Sequence, residues 1–177
     1  MNNHVIFSGC SGGGKSTLLQ EIGGRGFRIV EEPGRRIVAK ELADGGSSLP
    51  WIDPEAFARC AIDVSLQDIA LIKDLCEWVF FDRGLIDAIT ALEFYTGELH
   101  NHDLDRQHKF HTKVFLTPPW PEIYQRDSER QHDMNEAIQE YERLLLSYPK
   151  RGYELNILPK VSVIERANFV MEELGLG

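Results

Sequence analysis

The stretch Gly9-Cys10-Ser11-Gly12-Gly13-Gly14-Lys15-Ser16-Thr17 decides how the rest of the chain is interpreted. It matches the pattern Gly-x-x-x-x-Gly-Lys-Ser, and it stands between a short apolar run and a segment with helical spacing of its apolar residues. Glycines let successive backbone N–H groups turn toward phosphate oxygens, and the N-terminus of the following helix adds a partial positive charge. We therefore predict that these nine residues bind a nucleoside triphosphate, with Lys15 on the β- and γ-phosphates and Ser16 on Mg²⁺.

Further short apolar runs alternate with segments of helical spacing, which predicts βαβ units, a parallel sheet and helices on both of its faces. The runs are Val5-Ile6-Phe7, Phe27-Arg28-Ile29-Val30, Trp78-Val79-Phe80-Phe81, Val114-Phe115-Leu116 and Leu155-Asn156-Ile157-Leu158. We expect an α/β protein with a five-stranded parallel sheet in a three-layer sandwich, and one domain over residues 1–177. The second strand is expected to lie beside the first. Asp53 followed by Pro54 predicts the start of a long helix.

Composition narrows the functional classes. The 177 residues are 42% hydrophobic, which suffices for one substantial core, and the formal net charge of -9 argues against a non-specific polyanion binder. Because of this negative charge, we expect no nucleic-acid partner. We also expect no membrane partner, because no run of 18 apolar residues occurs. The N-terminus does not resemble a signal peptide, so a cytoplasmic location is expected. Three cysteines without metal-ligand spacing predict neither a disulfide framework nor a zinc site.

The third apolar run ends in Asp82, followed by Arg83, Gly84 and, four residues after the arginine, Asp87. A carboxylate at the end of a strand beside the phosphate loop suits Asp82 to bind Mg²⁺ together with Ser16. Arg83 and Asp87 are candidates for acceptor binding, because ligands of such folds bind at the carboxyl ends of the strands. The alternatives are a capping aspartate at position 82 and an ordinary surface ion pair between Arg83 and Asp87.

The second run ends in Glu31-Glu32-Pro33-Gly34-Arg35-Arg36, two acids and two bases separated by an expected break in the backbone. A carboxylate here is a candidate base for an attacking hydroxyl, and an arginine is a candidate contact for the acceptor or the γ-phosphate. We assign these roles to Glu32 and Arg35, and leave open whether Glu32 or Asp82 is the base. The alternative is a charged helix start at Arg35.

Arg126 and Arg130 are four residues apart in a polar stretch that follows a proline-rich turn. On a helix they share one face, as two guanidinium groups of a kinase lid would. We expect residues 118–134 to form a lid whose arginines neutralise charge on a transferred phosphoryl group. The alternative is a solvated helix face on which neighbouring acids pair with these arginines.

These motifs together resemble those of P-loop nucleoside and nucleotide kinases. Deoxynucleoside kinases carry Glu-Pro after the second strand, and thymidylate kinases carry Glu-Pro-Gly followed later by Asp-Arg. The resemblance implies that Glu32 is the base or a substrate contact and that Arg83 orients the acceptor. Asp82-Arg83-Gly84 departs from the thymidylate kinase form, in which a larger residue follows the arginine. The sequence of the N-terminal half resembles even more closely a family of AAA-like predicted ATPases related to ribosylnicotinamide kinase.

The leading hypothesis is a phosphotransferase that uses Mg-ATP and a small nucleoside- or nucleotide-like acceptor. Its catalytic residues would be Lys15, Glu32, Asp82, Arg83, Arg126 and Arg130, and its acceptor contacts Glu32, Arg35, Arg83 and Asp87. Trp51, Phe57 or Tyr95 would supply a flat wall for a ring, unless they pack in the core. The alternative is an ATPase or NTP-dependent switch that acts on a protein partner without a small acceptor. The acceptor and the oligomeric state stay open.

Overall fold

The computed structural model describes residues 3–99, 104, 107–123 and 134–177. In this part of the chain, five strands form one sheet in which every neighbouring pair is parallel. They are β1 (His4–Gly9), β2 (Arg28–Val30), β3 (Val79–Asp82), β4 (Lys113–Thr117) and β5 (Glu154–Ile157). The central strands β1, β3 and β4 are almost wholly buried, as expected for apolar strands covered on both faces. The predicted α/β fold with a five-stranded parallel sheet is confirmed.

The strand order is β2-β3-β1-β4-β5, so one expectation about neighbours was wrong. Residues 28–30 pair with β3 rather than with β1, and β2 is an edge strand of three residues. The chain between β2 and β3 is long enough to include two helices, and β3 returns into the place beside β1. Chain order therefore does not give spatial order, and the acids that follow β2 lie next to the end of β3.

Among the described residues, six α-helices cover the two faces of the sheet. They are α1 (Lys15–Gly24), α2 (Pro33–Asp44), α3 (Pro54–Ile72), α4 (Leu85–Thr96), α5 (Met134–Lys150) and α6 (Val163–Leu174). On one face, α1 and α6 pack through residues such as Leu18 and Val170. On the other face, α3, α4 and α5 pack through residues such as Ile89 and Leu144. The result is the expected three-layer arrangement.

The helix starts agree with local sequence signals in two cases and differ in one. The side chain of Asp53 accepts a hydrogen bond of 2.9 Å from the backbone N–H of Ala56, so the predicted cap of α3 is confirmed. Ser162 caps α6 through a reciprocal pair of bonds with Glu165. Helix α2 begins at Pro33 with Glu32 in the N-cap position, two residues before the start that Arg35 suggested. The expected backbone break at Pro33 is therefore wrong, because a proline fits the first turn of a helix.

The expected lid at 118–134 lies mostly outside the described residues. A short 3-10 turn spans Pro121–Ile123, and α5 begins at Met134. Arg126 and Arg130 are not among the described residues, so their role as lid arginines stays a prediction. None of the described helices combines the length and the apolarity needed to cross a membrane.

Candidate functional site

The phosphate loop leaves β1 at Gly9 and enters α1 at Lys15, and its shape depends on glycine. Gly9, Gly12 and Gly14 have φ angles of 109°, 79° and 76°, which side chains rarely tolerate. The backbone N–H of Cys10 donates to the carbonyl of Thr117 in β4 at 2.8 Å. A Cβ at Gly9 would lie 2.4 Å from that same carbonyl oxygen. The loop is therefore seated against β4, and glycine is required at its first position by both conformation and space.

Lys15, Ser16 and Asp82 meet at the end of the loop. The Lys15 ammonium lies 2.5 Å from Asp82 Oδ1, and the Ser16 hydroxyl donates to Asp82 Oδ2 at 3.1 Å. Burial by itself would raise the pKa of Asp82, but the charges of Lys15 and Arg83 and the bond from Ser16 outweigh it and hold the pKa below its usual value. Both oxygens of the Asp82 carboxylate are thus engaged, one by Lys15 and the other by Ser16.

Arg83 follows β3 in a conformation that is rare for a residue with a side chain. Its φ is 61°, and its backbone N–H donates to the carbonyl of Phe7 at 2.8 Å. This backbone turn, rather than a helical turn, brings Arg83 to 3.4 Å from Asp87, because α4 begins only at Leu85. Strained residues of this kind cluster at functional sites, and the orientation of Arg83 is fixed by the end of β1.

The guanidinium of Arg83 lies among three carboxylates. Glu140 of α5 holds it with two bonds, at 2.7 and 3.1 Å, and Glu32 lies 3.3 Å from its Nε. A further bond of 3.2 Å runs from Nη2 to the carbonyl oxygen of Gly9 at the start of the loop. Although burial lowers the pKa of Arg83, Glu140, Glu32 and Asp87 raise it well above its usual value. The arginine is a permanent cation that links the loop to α5.

Asp87 lies beneath Arg83 as a fully hydrogen-bonded carboxylate. It accepts bonds from the hydroxyl of Ser8, from Tyr148 Oη at 2.7 Å and from the backbone N–H of Gly84 at 3.1 Å. Burial raises the pKa of Asp87, partly offset by Arg83 and by the hydroxyls of Ser8 and Tyr148. Its two side-chain donors come from β1 and α5, so Asp87 forms the floor of the site and orients Arg83.

Glu32 and Arg35 lie at the start of α2. Arg35 Nε donates to Glu32 Oε2 at 3.2 Å, while the other oxygen of Glu32 faces Arg83. The Glu32 side chain keeps 21% of its surface exposed, and it lines the cleft. Glu32 is therefore accessible from the cleft, whereas Asp82 is buried.

A cleft of about 950 Å³ connects these groups. We call the donor half the part that is lined by the phosphate loop and by Trp120, Ile123, Val163 and Arg166. We call the acceptor half the part that is lined by side chains of α2, α3, α4 and α5. Phe57, Phe94 and Tyr95 line the acceptor half, as the sequence suggested for two of them, whereas Trp51 does not line the cleft.

Arg166 of α6 is a cleft residue that sequence reasoning missed. Its guanidinium donates to the backbone carbonyls of Gly13 at 3.2 Å and Gly14 at 3.4 Å, and it lies 5.7 Å from the ring of Trp120. Only 1% of the residue is exposed, and burial lowers its pKa. An arginine in an apolar stripe of a helix, beside Ala167 and Val170, was the available signal.

Glu140 was missed as well, for a different reason. Glu136 and Glu140 share one face of α5, but a pair of acids on a helix ordinarily indicates a solvent-exposed face. Nothing local reveals that this face turns toward Arg83, 57 residues earlier in the chain.

Cys10 shows no sign of a reactive thiol. Its side chain is buried, and burial together with the charge of Glu140 raises the pKa to about 11, against the opposing effects of Arg83 and Lys15. The three cysteines are free, and no group of three or more potential metal-binding His, Cys, Asp or Glu side chains occurs within the described ranges.

Known structures share this fold. A deoxyadenosine kinase from M. mycoides, solved with dCMP and dCDP, gives a TM-score of 0.69 at 14% identity, with 97% of this chain and 98% of that chain covered. The structure of a deoxyadenosine kinase from the same organism with dATP gives 0.61 at 15% identity, with coverage of 97% and 99%. At such identity the likeness establishes the fold alone. Curated proteins give no significant match.

The expected resemblance to P-loop nucleoside and nucleotide kinases is therefore confirmed at the level of the fold. A family model described as an AAA domain matches residues 4–166, which is most of the chain. The chain belongs to this AAA domain family and has the fold of a kinase-like P-loop NTPase.

Proposed function

We propose that this protein transfers the γ-phosphoryl group of Mg-ATP to a small nucleoside- or nucleotide-like acceptor. One observation carries the proposal: the cleft that is lined by the phosphate loop is also lined by Glu32 and Arg83, which lie 3.3 Å apart. A protein that only hydrolysed ATP would not require a separate chamber lined by α2, α3, α4 and α5. The deoxyadenosine kinases with the same fold are described with deoxynucleotides bound, and an acceptor of the nucleoside or nucleotide type is of similar size.

The donor half fits a triphosphate and its metal. Gly9, Cys10, Ser11, Gly12, Gly13, Gly14 and Thr17 would bind phosphate oxygens mainly through backbone N–H groups, and Lys15 would leave Asp82 to contact the β- and γ-phosphates. Ser16 and Asp82 offer a hydroxyl and a carboxylate 3.1 Å apart, oxygen ligands of the kind that Mg²⁺ prefers. When bound, Mg²⁺ would neutralise charge on the phosphates.

In the transfer step, an oxygen of the acceptor forms a bond to the γ-phosphorus while the bond from that phosphorus to the β–γ bridging oxygen breaks, and ADP leaves. Glu32 takes the proton where the attacking group is a hydroxyl, because its carboxylate is accessible from the cleft. Arg83 and Arg35 orient the acceptor through Glu32, which both of them contact, and Asp87 holds Arg83 in place. Arg126 and Arg130 would neutralise the transferred group from the lid.

The test is ADP formation by the purified chain with Mg-ATP, measured with and without a panel of nucleosides, nucleotides and ribosylated vitamins. We expect at least one acceptor to accelerate ADP formation and to appear as a phosphorylated product by mass spectrometry. ADP formation that water alone sustains, with no acceptor changing its rate, would instead establish the ATPase or switch function.

A further inference from the structure

The acceptor half of the cleft carries more carboxylates than cations at the described residues that line it. Its charged side chains are the four acids Glu32, Asp87, Glu136 and Glu140 and the three arginines Arg35, Arg83 and Arg143. Sites that bind phosphate groups are instead built from surplus cations and inward-facing backbone N–H groups, as in the donor half of this cleft. The charge balance of these described residues therefore does not suit a second phosphate.

Arg83 is the cation nearest the phosphate loop in this half, and each of its three nitrogens already has a partner. Glu140 occupies both of its terminal nitrogens, at 2.7 and 3.1 Å, and Glu32 lies 3.3 Å from its third nitrogen. The same guanidinium also donates to the carbonyl of Gly9. A phosphate dianion at this point would have to displace Glu140 and would then lie beside two or three carboxylates, which repel it.

The other two arginines do not provide a phosphate site at the point of transfer. Arg35 is paired with Glu32 at 3.2 Å. Arg143 stacks on the ring of Phe94, with its guanidinium carbon 3.8 Å from the ring centre. Phe94 lies ten residues along α4 from Gly84, and a helix rises 1.5 Å per residue, so the backbone of Phe94 is about 15 Å from the start of α4. Arg143 is thus engaged by an aromatic ring of α4.

The carboxylates of the acceptor half are suited to bind a hydroxyl group rather than a phosphate. An ionised carboxylate only accepts hydrogen bonds, whereas a hydroxyl donates one, and a phosphomonoester dianion has no proton to donate. Glu32 and Glu140 keep 21% and 36% of their side-chain surfaces exposed, so both can receive donors from the cleft.

From these observations we infer that the acceptor is an uncharged hydroxyl compound of the nucleoside type, attacked at a hydroxyl, and not a phosphomonoester such as a nucleoside monophosphate. This inference rests on the proposed phosphotransferase function and narrows it. The hydroxyl oxygen bonds to the γ-phosphorus, its proton passes to Glu32, and ADP is the leaving group.

The experiment measures kcat/KM for matched pairs, each nucleoside against its own 5'-monophosphate, with Mg-ATP as donor and ADP formation as the readout. We expect one or more nucleosides to be used about a hundredfold more efficiently than the matched monophosphates. Equal or greater efficiency with a monophosphate would overturn the inference while leaving the proposed function intact. Absence of turnover with every compound of both classes would overturn the proposed function, and the inference with it.

A charge-matched pair of variants ties the preference to this site. Glu140→Gln removes one carboxylate from Arg83, and Glu142→Gln removes one charge from an exposed position two residues further along α5. We expect Glu140→Gln to lower the nucleoside-to-monophosphate ratio about tenfold, and Glu142→Gln to leave it unchanged. Thermal unfolding checks that both variants are folded. An identical ratio in wild type and folded Glu140→Gln would show that the carboxylates do not set the preference.

Discussion

The two halves of the cleft are built in opposite ways. The donor half consists mainly of backbone from nine consecutive residues, and its positive φ angles at Gly9, Gly12 and Gly14 hold it in shape. The acceptor half consists of side chains from four helices, joined by ion pairs between residues as far apart as Arg83 and Glu140. A backbone cradle suits a group that all nucleoside triphosphates share, whereas a side-chain chamber suits a group that differs from one acceptor to another.

The largest effect is expected from removing the lysine side chain of the donor half, whose charge would contact the phosphates. Lys15→Ala should reduce turnover about a thousandfold, because it removes a charged donor from the phosphates and leaves Asp82 as a buried carboxylate without its closest partner. Turnover and ATP affinity by calorimetry measure the effect. Lys40→Ala, an exposed lysine of α2, is the control and should behave as wild type. Comparable loss in both variants would remove Lys15 from its proposed role.

A substitution in the acceptor half should change the rate of phosphoryl transfer rather than the affinity for ATP. Glu32→Gln should slow phosphoryl transfer about a hundredfold and leave ATP affinity nearly unchanged, because an amide cannot accept the acceptor's proton. Single-turnover kinetics and ATP titration separate the two effects. The adjacent Glu31→Gln removes the same charge from an exposed position and should have no effect on transfer. An unaltered transfer rate in Glu32→Gln would exclude this residue as the base.

The dependence of the donor half on backbone predicts a stability effect without any change of charge. Gly9→Ala should destabilise the fold by about 2 kcal/mol, because a Cβ at φ 109° would meet the Thr117 carbonyl oxygen at 2.4 Å. Urea unfolding measures this change. Gly24→Ala, at the end of α1 where a Cβ would meet nothing within 4 Å, should be neutral or slightly stabilising. Equal stability of the two variants would contradict the close packing of the loop on β4.

The smallest expected effect concerns Cys10 inside the loop. With a pKa of about 11, only about one thousandth of this thiol is ionised at pH 8, so alkylation should leave it nearly unmodified. Exposed Cys76 in the same chain should react readily and serves as the internal control. Peptide mass spectrometry after iodoacetamide treatment measures both sites, and denaturation in urea should expose Cys10 to labelling. Rapid modification of Cys10 in the folded chain would show that its thiol is not buried in the loop.

Much of the fold followed from local patterns. Short apolar runs that alternate with helical segments predicted the parallel sheet, and Asp53-Pro54 predicted the start of α3, both as observed. The position of β2 did not follow, since strand order depends on how α2 and α3 pack on the sheet rather than on the strand itself. The start of α2 lies at Pro33, two residues before the predicted start at Arg35, because a proline is compatible with either a break or a first helical turn.

The sequence by itself determined the phosphate loop, because all of its parts are consecutive residues and its function depends on backbone conformation that glycine makes possible. It also placed Asp82 at the end of a strand, where it meets Lys15 and Ser16. Only the tertiary structure brought Glu140 onto Arg83 and Arg166 onto the loop carbonyls, since these contacts span 57 and more than 150 residues. No local pattern encodes which face of a helix will meet a distant charge. Packing decides that, and with it the character of the acceptor half.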